Sequence, residues 1–256
     1  MAKIYDASLC DLSQTSLYFN VAEVLIPITS FCLTSLNEIV KTNNILSFIP
    51  FGTGNDFYKS VLKELNDGEN TIDIAKINNR YFINTACFGI DADVANNKNI
   101  VKTKLIPKKQ KYNISLIYNF FKYKCRYFEV MIDEQKFNDY YTTIAICNGS
   151  FYGSGYNIAP SSTLKDGLLD IYLAPKMNKF SMINLILKMK KGKHEKSKRI
   201  NYLKSKKIKI KSPQSFKCNI DGEELYDNIF DIEIIHNGLT VYYNKKMIDY
   251  INKKMS

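Results

Sequence analysis

Apolar and polar positions follow two different periods along this chain, and the change from one to the other divides it. Over the first 80 residues the pattern is mixed. "SLNEIVKTNN" (35–44) has helical spacing and opens on Ser35 and Glu38, three apart, as a capping box does. "ILSFIPF" (45–51) is a short apolar run that suits a buried strand. "NDFYKSVLKEL" (55–65) then sets Phe57, Val61, Leu62 and Leu65 on one helical face, and the polar "NDGENT" closes it.

From about residue 71 the pattern shortens to strands. "TIDIAKINNRYFINTACFGI" reads as a hairpin turning at Asn78-Asn79. Further strands are expected at "YFEVMID", "YYTTIAICNG", "LLDIYLA", "KKIKIKS", "SFKCNI" and "FDIEIIHNGLTVYYN". The last contains Asn237-Gly238 between two alternating runs, a strong short-range hairpin signal. Helices are expected at "ISLIYNFFKYK" (114–124), "KFSMINLILKMKKG" (179–192) and near the end at "KKMIDYINKKM". The fold class expected is α/β plus β: an α/β unit over 1–80, then a mostly antiparallel β domain over 81–244. The final helix, within 245–256, would pack back on the first unit. No internal repeat, low-complexity linker or heptad interrupts this plan.

Composition narrows the chemistry. With 256 residues and 45% hydrophobic content the chain can bury a real core. Its two histidines, His194 and His236, leave little material for a histidine triad or a histidine-rich metal site. The six cysteines have no CxxC and no regular spacing, so they read as reduced, small apolar residues. No apolar run reaches the roughly 18 to 20 residues of a membrane span. The opening residues lack a basic-then-apolar leader pattern, and a cytoplasmic protein is expected.

The net charge of +11 is concentrated at 102–113, 188–199 and 204–212. Such clusters attract nucleic acid, anionic lipid or phosphorylated ligands, or simply form a solvated lysine-rich face. No RNA- or DNA-reading motif accompanies them, and the aromatics near the lysines have the helical spacing of a core, so nucleic acid is not expected as a partner.

Three stretches could carry chemistry. Gly52-Thr53-Gly54-Asn55-Asp56 stands between a strand and a helix. Glycines there let backbone N–H groups approach an oxyanion, and the helix N-terminus adds partial positive charge. A structural turn capped by Asn55 or Asp56 would use the same residues. "NGSFYGSGYNIAPSSTLKDGLLDIYL" (148–173) leads through glycines and Pro160 into Asp166-Gly167 and an apolar strand, and "CNIDGEEL" places Asp221-Gly222-Glu223 after another. Singly, Asp-Gly pairs are ordinary turn chemistry. Together they offer carboxylates for a Mg²⁺ ion and a general base, the parts that phosphoryl transfer to a hydroxyl requires.

In this order and spacing, "IPFGTGNDF", "TIDIAKINNRYFINTACFGIDADVA", "ICNGSFYGSGYNIAPSSTLKDGLLDIYL" and "CNIDGEEL" resemble the diacylglycerol kinase family of bacterial lipid kinases over roughly residues 35–243. The resemblance implies a partial Rossmann-like nucleotide-binding domain followed by a β-sandwich domain for the lipid substrate, with the active site between them. It implies ATP at Gly52, Thr53, Gly54 and Asn55 with Asp56 nearby. It implies Mg²⁺ held by the Asp166 carboxylate and the carbonyls of Thr163 and Leu168. Glu223 would be the catalytic base that takes the proton of the lipid hydroxyl, with Asp221 beside it in the catalytic turn. The partners implied are ATP and a membrane lipid, met at the inner, anionic face of the membrane, and sandwich edges could pair two copies.

One part of the family pattern is missing. Family members carry a Gly-Gly-Asp-Gly-Thr loop just before Leu-Asn-Glu, whereas Leu36-Asn37-Glu38 here follows Phe31-Cys32-Leu33-Thr34-Ser35. These residues offer neither inexpensive positive φ nor a hard metal ligand. The nucleotide-binding region is therefore expected to be degenerate or truncated on its N-terminal side. The expectation is a lipid kinase, with a catalytically impaired lipid-binding pseudokinase as the alternative.

Overall fold

The computed structural model describes residues 3–4, 23–27, 33–42, 45–49, 56–90, 123–153, 155–246 and 249. Three short strands, β1 (Lys3–Ile4), β2 (Glu23–Pro27) and β3 (Ile45–Ile49), run parallel, with Glu23 opposite Ile45 and Pro27 opposite Ile49. Helix α1 (Leu33–Thr42) falls between β2 and β3 in the chain, and α2 (Asp56–Glu64) follows β3. Parallel strands need such crossovers, because a short turn cannot return the chain to the same end.

α1 starts two residues earlier than its capping-box pattern suggested, so Ser35 lies inside the helix. Its Leu36 and Ile39 are buried, and Asn37 Oδ1 accepts from the Tyr81 amide at 3.1 Å. α2 buries Phe57, Val61 and the following Leu65 as its periodicity required, whereas Leu62 is half exposed.

The remaining strands are largely antiparallel. They are β4 (Gly68–Ile77), β5 (Arg80–Phe82), β6 (Thr85–Gly89), β7 (Arg126–Ile132), β8 (Gln135–Cys147), β9 (Phe151–Tyr152), β10 (Tyr156–Asn157), β11 (Leu169–Pro175), β12 (Asn201–Ser205), β13 (Lys207–Ile220) and β14 (Glu223–Tyr243). The main sheet runs β1-β2-β3-β14-β13-β6-β8-β11-β12, with β4 and β5 branching from β14, and β7 bridging β13 and β8. β14 joins the two textures: it pairs antiparallel with β13 and β4, and parallel with β3 through Val241–Leu46 and Tyr242–Ser47.

Two expectations about strands are corrected. "KKIKIKS" and "SFKCNI" are one strand, β13, whose pairing with β14 shifts register between Lys211 and Phe216. Asn237-Gly238 does not turn a hairpin. Both residues lie inside β14, where the pairing with β4 shifts register between Ile235 and Leu239. Asn237 takes φ +52, and its amide donates to Asp73 Oδ1 at 2.8 Å, so a carboxylate of the neighbouring strand holds the bulge open while the strand continues. The Asn78-Asn79 turn is present as read, with Ile77 opposite Arg80.

The largest core lies between the folded-over halves of this sheet. Phe88, Phe128, Phe216 and Phe230 pack edge-on or tilted with ring centroids 4.7–5.7 Å apart. Such pairs add about 1 kcal/mol each beyond area burial. A second core joins α1, α2, β3, β4 and the end of β14 through Leu36, Leu46, Val61, Ile72 and Val241. A third lies under helix α3 (Lys179–Lys190) and includes Tyr172 and Leu185. Cys87, Cys147 and Cys218 are buried and Cys125 is half-buried, all four as thiols outside any disulfide. The helix expected at 114–124 lies outside the described residues save for 123 and 124, which are irregular. Of the helix expected near the end, only 245, 246 and 249 are described, all helical.

Candidate active site

The turn Gly52-Thr53-Gly54-Asn55 lies outside the described residues, and Asp56 begins α2. Asp56 is 8% exposed and pairs with Lys59 at 2.9 Å. A carboxylate in the first helical turn meets the positive end of the helix dipole. The ammonium of Lys59 balances that charge and stands 6.0 Å from the centre of the Phe151 ring.

α2 is clamped to the 148–168 segment by three successive polar groups. Ser60 Oγ accepts from the Ser150 amide at 2.8 Å. Lys63 Nζ donates to Ser150 Oγ and to the carbonyls of Pro160 and Ser162, at 3.1, 3.1 and 3.2 Å. Glu64 Oε2 accepts from Thr163 Oγ1 at 2.6 Å and from the Leu164 amide at 2.7 Å. A Cβ on Gly149 would sit 2.1 Å from Asn84 Oδ1 and 3.1 Å from Ser60 Oγ, so a larger residue would displace the side chains that join these elements.

Asp73 fixes the other side of the same segment. It is fully buried, and its Oδ2 accepts from the Gly167 amide at 2.6 Å. Its Oδ1 takes Asn237 N–H and lies 2.8 Å from His236 Nδ1. Asn148, also buried, donates through Nδ2 to the carbonyls of Asp73 and Ile83 at 2.8 Å each. The segment carrying Thr163, Asp166 and Leu168 is thus held by α2, β4 and β14 together.

Asp221-Gly222 forms a two-residue turn between β13 and β14, with Ile220 opposite Glu223 and φ of +47 and +99. Two positive φ values match the twist of the flanking strands. The Asp221 carboxylate accepts from three consecutive amides: Oδ2 from Ile83 at 2.8 Å, and Oδ1 from Asn84 at 3.1 Å and Thr85 at 2.8 Å. Burial pushes this carboxyl up to about 6, against the three amides that pull it down. Its oxygens therefore serve the main chain. Glu223, next in the turn, has a side chain 34% exposed, with Oε2 3.9 Å from Arg80.

Asn84 closes the circuit. Its amide is on Asp221, and its side-chain Nδ2 donates to the Phe151 carbonyl at 3.0 Å. From Glu223 the connection runs through Asp221 and Asn84 to Phe151, and so to Lys59 at the start of α2. The helix that follows the glycine turn, the 148–168 segment and the Asp-Gly-Glu turn are brought together. Asp73, Asn84, Asn148, Lys63 and Glu64 were not singled out from the sequence. An apolar neighbourhood around a lone carboxylate, as in "TIDIAK", is the signal that could have pointed to Asp73 as a buried, hydrogen-bonded residue.

Asp166 lies at the outer edge. Its Oδ1 accepts from the Leu168 amide at 3.1 Å, which folds the carboxylate over its own loop. Its Oδ2 pairs with Lys204 at 2.7 Å. Lys204 also lies 3.5 Å from Asp170, which is fully buried, and 3.3 Å from the Ser161 carbonyl. Among the described residues no three His, Cys, Asp or Glu side chains converge as a metal cluster. A Mg²⁺ at this loop would draw on one carboxylate and main-chain oxygens. That hard-oxygen set fits the ion, with Lys204 sharing the carboxylate.

Residues 84–243 match the family described as the YegS C-terminal NAD kinase beta sandwich-like domain, which is more than half of the chain. The chain belongs to the diacylglycerol kinase and YegS-like lipid kinase family. It is 22% identical over 213 residues to the Alcanivorax borkumensis protein named "Probable lipid kinase YegS-like", covering 77% of this chain and 69% of that one. To a Bacillus subtilis protein named diacylglycerol kinase it is 25% identical over 213 residues, covering 74% and 68% of the two chains. The crystal structure of a diacylglycerol kinase from Bacillus anthracis superposes with a TM-score of 0.68 at 20% identity, over 89% of this chain and 79% of that one. At that identity the likeness is one of fold, and it confirms the β-sandwich expected for the larger part of this family member.

Proposed function

We propose that the protein is an ATP-dependent lipid kinase that transfers the γ-phosphate to the hydroxyl of diacylglycerol or a related lipid. The observation that carries this reading is the hydrogen-bonded circuit that joins the start of α2, the 148–168 segment and the Glu223 turn. In this reading residues 1–80 form a Rossmann-like nucleotide unit, and residues 81–244 form the lipid-substrate sandwich. The parallel β1–β3 strands with α1 and α2 support the first. Gly52, Thr53, Gly54 and Asn55 bind the ATP phosphates, and they lead in the chain into the partly positive N-terminus of α2.

Glu223 acts as general base. Its carboxylate takes the proton of the lipid hydroxyl as that oxygen attacks the γ-phosphorus, the bond to the bridging oxygen breaks, and ADP leaves. Its partial exposure lets substrate reach it. Asp221 is a positioning residue: by gripping the 83–85 amides it fixes where Glu223 stands. Asp166 with the carbonyls of Thr163 and Leu168 would hold Mg²⁺, which would supply a positive centre at this loop. The acceptor comes from the inner, anionic membrane surface, to which the basic clusters draw the protein.

Glu223→Gln tests the assignment. Phosphate transfer to diacylglycerol in mixed micelles should fall at least about 100-fold, the size of general-base effects. Nucleotide binding and the unfolding midpoint should be unchanged, and retained turnover would remove Glu223 from the chemistry.

A second reading, a lipid-binding pseudokinase, is favoured by one observation. Leu33, Thr34 and Ser35 are helical residues of α1 at the position where the family's glycine loop precedes Leu-Asn-Glu. That first helical turn stands in place of the loop and carries neither its glycines nor its aspartate. Titration with ATP separates the two: saturable binding that is weakened by Gly54→Val supports the kinase, and no binding supports the pseudokinase.

A further inference from the structure

Helix α3 is apolar on two opposite faces. Met182 and Leu185 point inward and are about 95% buried, while Phe180, Ile183 and Leu187 are 86%, 41% and 60% exposed. At 3.6 residues per turn these three fall within about 60° of one another, a single outward stripe. Phe180 is the most exposed large apolar residue among those described. A soluble surface has no use for such a stripe, and apolar patches rimmed by charge mark contact sites.

The rim is strongly basic. Lys188 lies about 80° to one side of Phe180 around the helix, and Lys179 and Lys190 about 80–100° to the other. Residues 176–199 hold nine basic side chains and one acidic, Glu195. That one acid is already engaged by Tyr172 Oη at 2.6 Å and Ser161 Oγ at 2.7 Å. An apolar ridge inside a one-sign lysine collar is complementary to a surface with anionic headgroups over hydrocarbon. A protein partner would need a groove lined with acids. Among the described residues no helix is long and apolar enough to cross a membrane, so contact has to be made from the surface.

We propose that this face of α3 is the surface on which the protein docks to an anionic lipid bilayer. Phe180, Ile183 and Leu187 enter the headgroup–acyl boundary, and the lysines beside them meet the headgroups. The proposal rests on the lipid-kinase reading, because an enzyme that takes its acceptor from a bilayer has to hold to one while the acceptor is drawn in.

The test is sedimentation with vesicles of phosphatidylcholine containing 30% phosphatidylglycerol, and with phosphatidylcholine alone, in the absence of ATP and diacylglycerol. The wild-type chain should bind the anionic vesicles and not the neutral ones. Phe180→Ser with Leu187→Ser should reduce binding at least 10-fold with an unchanged unfolding midpoint, since both side chains are exposed. Lys188→Gln with Lys190→Gln should reduce it as well and weaken its salt dependence. Anionic binding that the serine pair leaves intact would overturn the proposal. A dimer that the serine pair dissolves, with vesicle binding unchanged, would also overturn it and give the face to a second copy. Phosphate transfer is assayed separately in detergent micelles. Loss there with vesicle binding retained would count against the kinase reading and leave the docking face standing.

Discussion

Three carboxylates in this protein share a chemistry and differ in what surrounds them. Asp73 is fully buried and satisfied by two backbone amides and His236. Asp73→Ala would strand those donors in the interior, and the expected loss is about 3 kcal/mol, read from urea unfolding. Asp221 is satisfied by the main chain, and Glu223 is left half in solvent, which is where a base has to be. Asp170 and Asp221 give a pH signature. Burial raises each from 3.8 to about 6. A raised carboxyl means the folded chain keeps a proton that the unfolded chain releases. Their contribution to stability is therefore full below about pH 4 and lost as pH rises towards 6. The wild-type unfolding midpoint should show that decline, and Asp170→Asn should flatten it. Asp166→Asn has two expected effects: a drop in EDTA from the lost Lys204 pair, and a further drop in Mg²⁺ if the loop holds the ion. Equal drops in both would place no metal there.

At the scale of elements, Gly238 records why the β14 bulge exists. A Cβ there would lie 2.6 Å from Ile74 Cγ1 and 2.9 Å from Ile235 Cγ2. Gly238→Ala should destabilise by about 1–3 kcal/mol, measured by thermal or urea unfolding. In an Asn-Gly hairpin turn the same change would instead cost strain at a positive φ, whereas Gly238 has no such φ and its cost is the clash with Ile74 and Ile235. The local sequence of a turn and of a bulge is the same here. What separates them is a partner 164 residues away, the Asp73 carboxylate, and nearest-neighbour pattern holds no record of that. Elements whose cause is local were legible: β3, α2, α3 and the Asn78-Asn79 turn follow from periodicity and turn chemistry. The motif residues were legible because they cluster in the chain. The scaffold that assembles them was not, since Asn84, Asn148 and Lys63 are ordinary polar residues until the fold brings backbone carbonyls to them.

The whole molecule joins a parallel α/β edge to an antiparallel sandwich through one 21-residue strand, β14. The strand begins at Glu223, bulges against Asp73 and ends paired with β3, so the proposed base stands on the strand that neighbours the one before the glycine turn. α3 packs on the sandwich through Leu185 against Tyr172 and Ala174 of β11, and its exposed side is the proposed bilayer surface. The measurement that bears most directly on all of this is transfer of label from [γ-³²P]ATP to diacylglycerol by the purified, folded chain with Mg²⁺, read as a lipid phosphomonoester. A working kinase yields labelled phosphatidic acid with the wild type and none with Glu223→Gln. No labelled lipid from folded wild type, or equal label from both proteins, would contradict it.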